Sequence, residues 1–201
     1  MASPASRRFQ GRIAGLGTTS GTRLVVGLWS RSPLGAFGDV MVETADGERV
    51  LFAPRDDVAE TISALYSFDR IVVAPLDFVA RDRTLRITGR DLQLEFEVGG
   101  VAPLGLLLRL VPRPMAASWR WAGIIDPVAR LIVPGARTVG SAGGGHREYY
   151  GVMDARRIVR SSGVVEGREL GGLSSLRPPV RFGFASMPAA PTLVDVVTTV
   201  R

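Results

Sequence analysis

The chain has no cysteine, no lysine and no asparagine, and its 201 residues include a single histidine, His146. Each absence removes a class of chemistry. Without cysteine there is no thiol nucleophile, no disulfide and no thiolate metal site. Without lysine there is no Schiff base and no phosphate-loop ammonium. One histidine cannot supply HExxH or a two-histidine metal site within one chain. No metal and no cofactor is therefore expected. The lack of cysteine fits a reducing cytoplasm, where the chain is expected to reside. Long apolar runs are missing too, and none approaches the roughly 18 residues of a membrane span.

Arginine supplies all 25 basic residues, and 19 acids leave a net charge of +6. That sign favours anionic partners. The arginines are spread along the chain and interleaved with acids, whereas a nucleic-acid binder concentrates them on one face, so nucleic acid is not an expected partner. Apolar residues at 46% and charged ones at 22% describe a chain that folds around its own core as one domain.

Residues 1–20 are small, polar and glycine-rich, which predicts a flexible N-terminal segment before a single β-rich domain over 21–201. "SRRFQGRIAGLG" carries twin arginines, but "TTSGTR" interrupts the apolar stretch an export signal needs. "GLGTTSG" has the wrong glycine spacing for a dinucleotide fingerprint and leads into a strand, not a helix.

Strand patterns dominate from Arg23 onward. "DVMVETADGERVLFA" carries Asp46-Gly47 between two β-rich runs, a hairpin signal. "RTLRITGRDLQLEFEV" predicts a second hairpin. A turn at Gly89-Arg90 would set Ile87 opposite Leu92, Leu85 opposite Leu94 and Arg86 opposite Gln93. One face is then apolar (Leu85, Ile87, Leu92, Leu94, Phe96), and the arginines of the other face are partners for Glu95 and Glu97. Between the hairpins, Val58, Ile62, Leu65 and Tyr66 form the stripe of a helix near 57–66, with Asp57 and Glu60 at capping-box spacing.

A helical insert is predicted near 103–132. Leu104, Leu107, Leu108 and Val111 form one stripe, and Trp121, Ile124 and Ile125 another; Asp126-Pro127 reads as the start of a further short helix. These stripes are expected to cover sheet faces bearing Leu94, Phe96, Phe182 and Phe184. After the insert, "SAGGGHREYYG" reads as a glycine turn between hairpin arms, and "PPVRFGFA" and "TLVDVVTTV" as later strands.

Three stretches could bind something. His146, at the exit of the glycine turn, could act as acid or base with Glu148 as partner, though that position favours solvent exposure; Tyr149 follows it on the same arm. Trp29 ends a strand, and Arg31 between Ser30 and Ser32 could grip a carboxylate or phosphate. In the insert, Leu107, Arg109, Trp119 and Trp121 could form the mouth of an apolar cavity. No residue is assigned as catalytic: there is no nucleophile elbow, and the carboxylates have structural roles at caps and strand faces.

These patterns define a mainly β fold, an antiparallel barrel or two-sheet sandwich of about ten strands. A β-rich chain with a helical insert resembles lipocalin-like and acetoacetate-decarboxylase-like barrels. Decarboxylase activity of the second kind needs a Schiff-base lysine, which has no counterpart here, and likeness of fold carries no function. The leading expectation is non-catalytic binding of an apolar or amphipathic small molecule, with an acidic head held by arginines at the cavity mouth. One alternative is a lysine- and cysteine-free enzyme using His146 or a carboxylate for proton transfer. The other is a peripheral membrane or protein-interaction module using the tryptophan-bearing insert.

Overall fold

The computed structural model describes residues 6–132, 138–141, 145–183 and 187–201. Along them run β1 (Arg7–Thr18), β2 (Arg23–Arg31), β3 (Phe37–Glu43), β4 (Arg49–Ala53), α1 (Asp56–Ser63), β5 (Arg70–Val73), β6 (Leu76–Arg81), β7 (Thr84–Gly89) and β8 (Leu92–Val101). The insert follows as α2 (Pro103–Leu108), α3 (Arg113–Ala116) and α4 (Trp119–Ile132). Then come β9 (Val139–Ser141), β10 (Arg147–Val165), β11 (Arg168–Glu169), β12 (Leu173–Ser174) and β13 (Thr192–Val200).

Ten strands form one sheet in the order β5-β4-β3-β2-β1-β13-β10-β8-β7-β6, with β9 and β11 on β10 and β12 on β1. Neighbours along this path are antiparallel except β4 and β5, which are parallel because α1 carries the crossover between them. The two arms of the sheet curl toward each other. Phe78 on β6 lies over Gly38 on β3, where a Cβ would sit 2.3 Å from the ring, so only glycine permits the contact. The curl stays open, a half-barrel whose strand order ends at β5 and β6.

Both faces of this sheet are apolar. Inside the curl, Leu24, Val26, Val40 and Val42 meet Ile87, Leu92, Leu94 and Phe96 from the other arm. On the opposite face, Val25, Met41, Val194 and Val196 are covered by α1 through Val58, Ile62 and Leu65, and by Leu176, Val180 and Phe182. The helical insert joins this second layer through Leu104 and Leu108.

Several expectations change. Residues 7–18, placed in a flexible N-terminal segment, form β1 at the centre of the sheet, flanked by β2 and β13. The second hairpin turns at Arg90-Asp91, with Asp91 at φ 58°, so Ile87 faces Leu94 and Leu85 faces Phe96. The shift is two residues, an even number, so every side chain keeps its face. Arg86 accordingly pairs with Glu95 at 2.7 Å. The Asp46-Gly47 hairpin is present as β3–β4, with Gly47 at φ 89°.

The stripe of α1 is buried as expected, but its capping box does not form. The Asp57 carboxylate instead accepts from the Val58 backbone N–H at 2.8 Å. Asp126 does not start a new helix, because α4 runs on through Pro127. Its carboxylate instead accepts from the backbone N–H groups of Thr138 and Val139 at 2.7 and 3.0 Å. Phe182 lies in a segment outside the strands, and Phe184 falls outside the described residues. The insert covers the face of Val194 and Val196, not that of Leu94 and Phe96, which the other arm of the sheet already buries.

Candidate functional site

Between the sheet and the helical layer lies a cavity of about 240 Å³. Strand residues of odd and even parity give it a floor: Ile13 of β1, Val25 and Trp29 of β2, Met41 of β3, Val194 and Val196 of β13. Leu104, Leu107, Leu108, Val111, Trp121 and Ile125 of the insert form its roof. Phe9 and Trp29 line one wall, packed edge-on with ring centroids 5.7 Å apart, and Phe37 packs against both rings at 6.5 and 6.4 Å.

One end of this apolar chamber is polar. Glu148 and Tyr150 alternate on β10 and point to the same side, where Tyr66, just after α1, meets them. The Tyr66 hydroxyl bonds Glu148 Oε1 and Oε2 at 3.0 and 2.9 Å. The Tyr66 and Tyr150 hydroxyls are 2.8 Å apart, and the Tyr150 hydroxyl donates to Glu148 Oε2 at 3.3 Å. Thr198, the cross-strand neighbour of Tyr150, also lines the cavity, and its buried hydroxyl has no hydrogen-bond partner among the described residues.

Burial governs the electrostatics of this group. It pushes the Glu148 carboxyl up to about 7, against the opposing effect of the two tyrosine hydroxyls. Burial, together with the neighbouring carboxylate, also raises both tyrosines well above their ordinary value, so they remain hydroxyl donors through the neutral range. Nearby, the Trp29 indole N–H donates to Asp39 Oδ1 at 3.0 Å. Gly27 makes room for that bond, since a Cβ there would lie 2.4 Å from Asp39 Oδ1 and 2.7 Å from Trp29 Nε1. Asp39 is pushed up to about 6 by burial, partly offset by the Trp29 bond, and its Oδ2 has no partner among the described residues.

A comparison inside the same molecule shows how unusual Glu148 is. Glu43 is equally buried, yet it is held by Arg23 at 3.0 Å and by the Arg181 side chain and backbone N–H at 2.8 and 2.7 Å. A buried structural carboxylate thus has its guanidinium. Among the described residues no arginine forms an ion pair with Glu148 or Asp39.

The residues singled out from the sequence are dispersed. Trp29, Leu107 and Trp121 line the cavity. Arg109 forms a two-pronged pair with Asp154, Nε to Oδ1 at 3.0 Å and NH2 to Oδ2 at 2.8 Å, in a cleft outside the cavity. Arg31 is exposed at the end of β2, and the Ser30 and Ser32 hydroxyls beside it bond the carbonyls of Gln10 and Gly35. Trp119 packs edge-on against Tyr149 at 5.7 Å, with the Arg201 guanidinium over its ring at 4.2 Å. Tyr149 therefore sits on the other side of β10 from Tyr150. His146 is half-buried just before β10, and Glu148 takes its hydrogen bonds from tyrosines, not from the imidazole.

Tyr66, Glu148, Tyr150 and Thr198 make the polar end, and only Glu148 among them was named for chemistry from the sequence. The signal that could have found more is Glu148-x-Tyr150-x-Val152, a period-two run whose face matches Val196 and Thr198 on β13.

No family model matches the chain, and no curated protein matches it. Among solved structures it is similar to acetoacetate decarboxylase from Legionella pneumophila subsp. pneumophila str. Philadelphia 1, with 11% identity and a TM-score of 0.42 over 99% of this chain and 89% of that one. It is also similar to a protein of Nitrosomonas europaea provisionally named AttH, with 11% identity and a TM-score of 0.30 over 100% of this chain and 52% of that one. At these values neither likeness bears on chemistry.

Proposed function

We propose that this chain binds a small, largely apolar molecule carrying one uncharged polar group. The apolar body fills the chamber under the insert, and the polar group meets Tyr66, Tyr150, Glu148 and Thr198. The supporting observation is a cavity that is apolar except at one end, where a buried Thr198 hydroxyl has no partner among the described residues. An apolar cavity of roughly 150 Å³ stays dry and takes a benzene-sized guest; one of about 240 Å³ takes a somewhat larger one.

The expected acidic head is replaced by a neutral one. An anionic head would stand beside Glu148, and the arginine expected to receive it, Arg109, is occupied by Asp154. The test is titration with 1-octanol, 2-octanone and octanoate, following tryptophan emission, since Trp29 and Trp121 line the cavity. Saturable blue shifts with the alcohol and the ketone, and a weaker response to octanoate at pH 8 than at pH 5, are expected. Absence of saturable binding by all three would refute the reading.

A second reading makes the same chamber a proton-transfer site with Glu148 as the acting group. It is favoured by the position of Glu148, which, pushed up to about 7 in a water-poor pocket, is poised between acid and base at neutral pH. Tyr66 and Tyr150, whose single hydroxyl protons are held by the Glu148 carboxylate, can turn them toward a developing oxyanion once Glu148 has taken the proton. Proton NMR in D2O distinguishes the two: wild-type protein that speeds exchange of the α-protons of 2-octanone, with Glu148→Gln inactive, supports transfer; equal slow exchange leaves binding alone.

A further inference from the structure

We infer that the helical insert docks on an anionic bilayer surface and that ligand enters the cavity from there. The entry step rests on the binding reading above; the docking step does not. The insert is apolar on two sides at once. Inward, Leu104, Leu108, Trp121 and Ile125 roof the cavity. Outward, Leu106, Leu110 and Ile124 are 61%, 79% and 69% exposed; Met115 is exposed as well, and Leu107 is half in the roof and half in the open. A helix pair that merely closes a core turns polar residues to water. This one turns large aliphatic side chains there, the sign of an interaction surface.

Charge selects the partner. From Ala102 to Ile125 there are three arginines and no acid. The cleft that borders α2 and α3 is lined by Arg12, Arg83, Arg109, Arg113 and Arg156 against Asp82, Asp154 and Asp195. An aliphatic face with a basic margin matches the boundary between acyl chains and anionic headgroups. Trp119, between the Arg120 and Arg201 guanidinium groups at 5.4 and 4.2 Å, has the amphipathic character of an interfacial anchor. A second copy fits less well, because a twofold contact through this face sets Arg113 and Arg120 against their own kind, while Asp126 of the insert is buried and bonded to the backbone of Thr138 and Val139. No helix among the described residues is long and apolar enough to cross a membrane, so the contact is with the surface.

The experiment is co-sedimentation of the full chain with vesicles of phosphatidylcholine alone and of equal parts phosphatidylcholine and phosphatidylglycerol. The wild type is expected to pellet with the anionic vesicles and far less with the neutral ones. A variant combining Leu106→Glu, Leu110→Glu and Ile124→Glu is expected to lose at least tenfold in partitioning. None of the three lines the cavity, so its melting curve and its titration with 1-octanol in vesicle-free buffer should match the wild type. Arg113→Gln with Arg120→Gln is expected to remove the preference for anionic over neutral vesicles. Equal pelleting of wild type and the glutamate variant, or no pelleting with either vesicle, overturns the docking. So does a lipid-free dimer that the glutamate variant abolishes, which would assign the face to a second copy. Retained docking by a protein that binds no octanol would sink the ligand reading alone.

Discussion

Tyr66, at the end of the turn that closes α1, bonds both carboxylate oxygens of Glu148, 82 residues further along the chain, at 3.0 and 2.9 Å. This contact ties the helical layer to β10 at the polar end of the cavity. It also keeps a carboxyl group where water cannot stabilise its charge.

That placement has a consequence for stability against pH. Glu148 binds its proton more tightly when folded, with an ordinary value of 4.5 raised to about 7. The stabilisation from this group is therefore complete below pH 4.5 and is lost as pH rises through about 7, a change of up to about 3 kcal/mol. Asp39, raised from 3.8 to about 6, acts in the same direction in a lower window. Urea midpoints of the wild type should fall between pH 5 and pH 8. In Glu148→Gln the fall should be shallower, pass through about pH 6 and be finished by about pH 7, because Asp39 alone acts. A wild-type midpoint that rises over this range would contradict the placement of both carboxyls.

Trp29 and Asp39 should behave as a unit with Gly27. Asp39→Ala leaves the buried indole N–H without its acceptor, which costs about 1–3 kcal/mol. Gly27→Ala drives a methyl into the same bond, with contacts of 2.4 and 2.7 Å to its two polar atoms. The double variant should lose less than the two single losses together, because each breaks the same interaction. Denaturant melts of the three variants measure this, and simple additivity would separate Gly27 from the bond.

Thr198→Val should move stability and binding in opposite directions. The substitution keeps the shape of the side chain and removes a buried hydroxyl with no partner among the described residues. Stability should rise by about 1 kcal/mol, as removal of an unsatisfied group allows. Affinity for 1-octanol should fall several-fold, because the ligand hydroxyl loses a partner. Thermal melts with and without octanol report both quantities. A loss of stability would mean that Thr198 has a structural bond in solution.

The β7–β8 hairpin offers a check on sidedness. Leu94 is buried inside the curl and Gln93 is exposed. Leu94→Ala should cost about 2–5 kcal/mol, and Gln93→Ala should stay within about 0.5 kcal/mol. Comparable losses in chemical denaturation at the two positions would refute the assignment of faces.

What the sequence determined by itself is local. Alternation over Thr84 to Val98 set which side chains of that hairpin share a face. An error of one residue in the turn moved the pairing by two and left every face unchanged, because a strand repeats every two residues. The stripe of α1, the helical character of the insert and the absence of whole classes of chemistry were legible for the same reason: each depends on neighbours in the chain.

Tertiary structure decided the rest. The glycines of "RFQGRIAGLG" hide β1 from local patterning, and the segment becomes a central strand only because β2 and β13 pair on both of its edges. On β10 the choice between Tyr149 and Tyr150 is a choice of face, and pairing with Thr198 and Val200 on β13 makes it. Tyr66, Glu148 and Thr198 come from three separate stretches of chain. They share one end of a cavity because β13 and β10 lie side by side in the sheet and the crossover through α1 brings Tyr66 down onto them. Strand order is set by contacts between distant residues, so no window of neighbouring residues contains that information.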